Sequence, residues 1–132
     1  MSMANEQPDP VESFNLSYIR STPVPNRLLE IAARLPSTSI RVLLVVIRMT
    51  LGWQAGGRLN RRAAATISYR EILHATGLRS AVAVSRAVNY LVRTGIIETV
   101  SEDGMSLLTG AERRGRRRPL RFRLVRTFVE ER

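Results

Sequence analysis

Apolar and polar positions alternate along this chain in four patterned blocks, set apart by proline, glycine and arginine. After Pro23 and Pro25, Leu28, Ile31, Ala32 and Leu35 form a helical stripe that Pro36 ends. From Ile40 to Leu51 the run is apolar except for Arg41, Arg48 and Thr50. This predicts the helix buried deepest in the core, with an N-cap from Ser37 to Ser39, a stop at Gly52 and Trp53 packed over its end. The third block runs from Thr66 to Ile97. Ser68 and Glu71 have the S-x-x-E spacing of a capping box, so a short helix is expected from Tyr69, and Gly77 supplies the left-handed residue that closes it. A second helix starts near Ser80, gathers Val84, Val88, Leu91 and Val92 on one face, and stops at Gly95. The β-prone run from Ile96 to Val100 follows at once. In the fourth block, Leu120 to Val125 alternates as a strand with one apolar side, and Ala65 to Ile67 reads as a short third strand.

Two short helices joined by a glycine turn and followed by a strand predict an α+β, mostly α, fold. The expectation is a single winged helix-turn-helix domain with a small antiparallel wing sheet. The domain spans residues 22–126, with the wing at about 96–126. Residues 1–21 read as a flexible N-terminal arm in which Phe14, Leu16, Tyr18 and Ile19 are the side chains able to pack, and residues 127–132 as a C-terminal tail. Gln54 to Ala65, with two glycines and three arginines, reads as a loop. Glu102-Asp103-Gly104 reads as a turn, and the long connection after it leads to a flexible basic tip, Arg113-Arg114-Gly115-Arg116-Arg117-Arg118.

Charge sharpens this picture. The formal net charge is +10, from 21 basic residues against 11 acidic ones, and every basic residue is arginine. Between Ile31 and Ile97 the only acid is Glu71, while Glu6, Asp9, Glu12, Glu130 and Glu131 lie near the ends. A basic field centred on a helix-turn-helix suits a polyanion, and nucleic acid is the commonest one.

With Val84, Val88 and Leu91 turned inward, the helical phase turns Val82, Arg86, Asn89 and Arg93 outward and puts Ser85 on the flank. Arginine can fork onto guanine O6 and N7, asparagine can pair with adenine N6 and N7, and valine can meet a thymine methyl. The candidate reading residues are therefore Arg79, Ser80, Val82, Ser85, Arg86, Asn89 and Arg93. In the wing, Arg113, Arg114, Arg116, Arg117 and Arg118 repel one another unless counter-charge is present, which points to phosphate.

Other chemistry is not supported. The chain has no cysteine, so it can form no disulfide, and its one histidine, His74, lacks the companions of a metal site. Gly56-Gly57 lacks the phosphate-cradling G-x-x-x-x-G-K-[ST] pattern. No enzyme activity, cofactor, metal or small-molecule ligand is expected. The apolar run Val42 to Ile47 is too short to span a bilayer, and a cytoplasmic protein without membrane contact is expected.

Three blocks resemble the N-terminal DNA-binding domain of the bacteriophage replication protein O family. They are Val24-Pro25-Asn26-Arg27-Leu28-Leu29-Glu30, then Arg41 to Trp53 with its T-x-G-W ending, then the helix-turn-helix with Val84-Ser85-Arg86-Ala87-Val88. The resemblance covers roughly residues 22–100, although the loop from Gln54 to Ala65 is longer than usual for the family. It implies a winged helix that binds repeated origin sequences in double-stranded DNA, as a homodimer and alongside replication proteins. The residues themselves leave two other readings open: a dimeric winged-helix transcriptional repressor, and an arginine-rich RNA-binding or assembly module.

Overall fold

The computed structural model describes residues 12–17, 20–57, 59–115 and 119–129. In chain order the elements are α1 (Asn26–Ala32), α2 (Ser37–Thr50), β1 (Ala64–Ile67), α3 (Tyr69–Thr76), α4 (Ala81–Arg93), β2 (Ile97–Val100), α5 (Gly110–Arg114) and β3 (Leu120–Leu124). A 3-10 turn, Arg126–Phe128, follows β3. The result is a small α+β domain of winged-helix-like arrangement, with one open antiparallel sheet.

Helix α2 forms the centre. Its Val42, Leu43 and Val46 are wholly buried, and it packs against α3, α4, β1 and β3. The opposite side is less apolar in its setting than the sequence suggests, because Leu44 stands exposed. No serine caps its start. Pro36 occupies that position without a side-chain bond, and Ser39 is buried one turn further on.

The T-x-G-W ending of α2 has a physical account. The Thr50 hydroxyl, buried, donates to the Val46 carbonyl at 2.7 Å and so needs no water. At Gly52 a Cβ would collide with the Arg48 carbonyl oxygen, so only glycine lets the chain turn there. Trp53 packs over the end of α2 only in part: it is 46% exposed, with Arg48 of the last helical turn 5.8 Å and Arg62 5.3 Å from its ring centroid.

The helix-turn-helix forms as its capping signals require. The Glu71 N–H donates to Ser68 Oγ at 3.0 Å, and the Ser68 N–H donates to Glu71 Oε1 at 3.1 Å. Gly77 sits at φ +71° and closes α3; Gly95 sits at φ +77° and turns the chain from α4 into β2.

The sheet order is β1-β3-β2, with Phe122 of β3 facing Ala65 on one side and Thr99 on the other. Leu120, Phe122 and Leu124 point into the core, while Arg121 and Arg123 point away from it. Three sequence expectations need correction at the periphery. Phe14 and Leu16 do not pack, being 90% and 57% exposed, while Tyr18 and Ile19 lie outside the described residues. The C-terminal boundary at residue 126 falls short, because Phe128 joins the core and Arg27 lies 5.6 Å from its ring centroid. The connection between β2 and β3 is not a plain loop, since it contains α5.

Candidate nucleic-acid interface

Helix α4 takes its phase from the core. Val84, Ala87, Val88 and Leu91 are buried, which turns Val82, Arg86 and Arg93 outward, all three exposed. Arg79 is exposed just ahead of the helix. Ser80 is its N-cap: the Oγ accepts from the Ala83 N–H at 3.2 Å, so its oxygen is already engaged and the hydroxyl proton is what it has left to give. No acidic residue occurs between Ile72 and Ile97, so nothing within the helix neutralises its guanidinium groups.

Ser85 and Asn89, grouped with these residues by sequence, are only half-buried positions at the side of α4 that meets the wing. The residue Asn89 meets is Arg113. Far from lying on a flexible tip, Arg113 is 4% exposed. Its Nη2 donates to Asn89 Oδ1 at 2.8 Å, and its Nη1 donates to the Leu107 carbonyl at 3.1 Å and more weakly to Thr99 Oγ1 at 3.4 Å. The expectation that Arg113 touches phosphate from the wing tip is therefore corrected.

The cause is local. Thr109 caps α5, its Oγ1 accepting from the Glu112 N–H at 3.1 Å, and the single helical turn this nucleates rotates Arg113 inward and Arg114 outward. Thr109-x-x-Glu112 is itself a capping-box spacing, so the sequence carried the signal, and the arginine cluster beside it hid it. Thr99 completes the joint by donating its hydroxyl to the Leu107 carbonyl at 2.7 Å.

Arg113 brings a charge into the protein, and its described partners are neutral oxygens. Its Nε is buried without a hydrogen-bond partner, as is the Tyr69 hydroxyl. Tyr69 starts α3 and faces both Ser85 and Arg113 without completing a bond to either. Burial pushes its phenol above the ordinary value of 10.0, while the Arg113 guanidinium and the Ser85 hydroxyl pull the other way. Tyr69 was not among the candidates the sequence supplied, because an aromatic residue at the first helical position reads as packing.

The arrangement joins α3, α4, β2 and α5 through one buried polar cluster, and it sets aside part of the expected contact surface for internal use. Of the candidates, Arg79, Val82, Arg86, Arg93 and Arg114 are exposed, with Ser80 exposed but engaged as a cap. Asn89 is half-buried and bonded to the buried Arg113, and Ser85 is half-buried beside Tyr69. Arg116, Arg117 and Arg118 lie outside the described residues. Among the described residues no group of three His, Cys, Asp or Glu side chains is placed to hold a metal ion, and no helix is long and apolar enough to cross a membrane. No protein-family model matches the chain, and neither a curated protein nor a solved structure matches it.

Proposed function

We propose that this chain is a sequence-specific double-stranded DNA-binding protein of the cytoplasm and that α4 is its reading helix. The observation that carries the reading is the exposure of Val82, Arg86 and Arg93 on one face of a helix without acids, projecting from a helix-turn-helix. A helix with its side chains is about 10 to 12 Å across, close to the width of the B-form major groove, about 12 Å. In that groove Arg86 reads guanine or holds phosphate, Val82 meets a thymine methyl, and Arg79 and Arg93 hold the backbone at the two ends of the helix. Asn89 has a narrower role than its residue type suggests. Its Oδ1 already accepts from Arg113, so its amide protons are the free part and favour an acceptor such as guanine O6 or N7 over the paired contact with adenine.

The resemblance in Arg41 to Trp53 makes repeated origin sequences the class of site we propose first, with a second copy of the chain and replication proteins as partners. Competition at physiological salt among a DNA duplex, its single strand and an RNA duplex of equal length tests the reading. DNA duplex is expected to win, because a helix cannot enter the narrow A-form major groove. Equal affinity for all three would remove α4 from the major groove.

A further inference from the structure

The sheet has a second face. Arg121 and Arg123 alternate with the buried residues of β3, and the register sets Thr66 and Val100 beside Arg121, and Ala64 and Glu98 beside Arg123. Over this face runs a groove of about 1000 Å³ lined by five arginines, Arg61, Arg62, Arg121, Arg123 and Arg126, and by one carboxylate, Glu98. Arg123 Nη2 lies 2.8 Å from Glu98 Oε2, so among the described lining residues the one acid is paired, against five arginines in all. No residue of α3 or α4 lines it. It is a surface separate from the reading helix, and both turn away from the same core.

We propose that this groove binds a nucleic-acid backbone independently of α4. The argument is charge. Arg123 is held by Glu98, so the contact from β3 is Arg121. An acidic peptide would need carboxylates placed to match the arginines, whereas a phosphodiester chain presents one charge per nucleotide whatever its sequence. Arg61 and Arg62 extend the positive surface from the loop ahead of β1. If α4 also reads DNA as proposed above, a single molecule holds two segments of nucleic acid on different sides, which is bridging rather than tighter gripping.

The chain carries its own reporter. Trp53 is its only tryptophan, is half exposed, and is stacked by Arg62, which lines the groove. A mixed-sequence DNA duplex titrated into the full chain should change Trp53 emission. It should do so equally in an Arg86→Ala/Arg93→Ala variant, which leaves the groove intact. Arg121→Gln should raise the half-saturation concentration severalfold and lower the slope of log K against log salt by about 0.9, and Arg121→Lys should restore both. Anisotropy of labelled duplex, recorded in parallel, reports binding at any surface. Duplex bound by anisotropy with Trp53 emission unchanged overturns the groove while leaving α4 standing. An emission change with polyglutamate and none with DNA overturns it in favour of an acidic protein partner. An emission change in wild type that the α4 double variant abolishes overturns its independence.

Discussion

Arg86 on α4 and Arg113 on α5 are the same residue type in the same basic region, and they have opposite surroundings. Arg86 faces solvent from a helix without acids, whereas Arg113 is buried with three neutral oxygens around its two terminal nitrogens. Arginine count along a segment therefore does not measure the charge it offers a ligand. Helical phase does: one residue on from Arg113, the side chain of Arg114 is back in water. The contrast separates a residue that holds α4 in place from one that α4 displays.

The contrast would break first at Arg113. Arg113→Ala leaves the Asn89 oxygen without this donor, takes one of two donors from the Leu107 carbonyl and opens a cavity, so a loss of about 2 to 4 kcal/mol in unfolding free energy is expected from urea titration. Arg114→Ala on the same turn should change stability by less than about 0.5 kcal/mol. Similar losses in the two variants would mean that Arg113 has no structural role. Next in size, Arg86→Ala should leave unfolding unchanged and weaken binding to the preferred duplex by about 1 to 3 kcal/mol, with little effect on random DNA. Uniform weakening on both would make Arg86 a phosphate contact. The smallest effect concerns Tyr69. Its phenol is raised above 10.0 in the folded protein, so the folded state keeps the proton while the unfolded chain loses it. Stability should accordingly fall as pH climbs above about 10, and Tyr69→Phe should flatten that fall in denaturation measured at successive pH values. Near neutral pH the substitution should be close to neutral, since the hydroxyl has no partner to lose.

What could be read from the sequence followed the strength of local signals. Ser68 with Glu71, Gly77, Ser80 and Gly95 each dictate a backbone event within a few residues of themselves, and each does so in the structure. The inward set of α4 followed from period alone, and so did β3. The failures share a different cause. Arg113 and Phe128 have surroundings set by residues distant in sequence: Asn89 for the first, the core and Arg27 for the second. The groove on the outer sheet face was likewise out of reach, because Arg61 and Arg121 come to line one groove only through the pairing of β1 with β3. Even α5 belongs partly to this class, since its capping spacing predicts one turn of helix but not what Arg113 would meet.

The order β1-β3-β2 also bears on how the chain comes together during synthesis. The middle strand is the last of the three to leave the ribosome, and the two outer strands pair with it rather than with each other. Helices α1 to α4 are complete long before Leu120 to Leu124 appears, so Ile67 and Ile97 wait for Phe122 and its neighbours to close the core beneath them. Such late, long-range closure slows folding. A nascent chain stalled between residues 100 and 120 would carry two lone strands with open edges, each ready to pair with another chain.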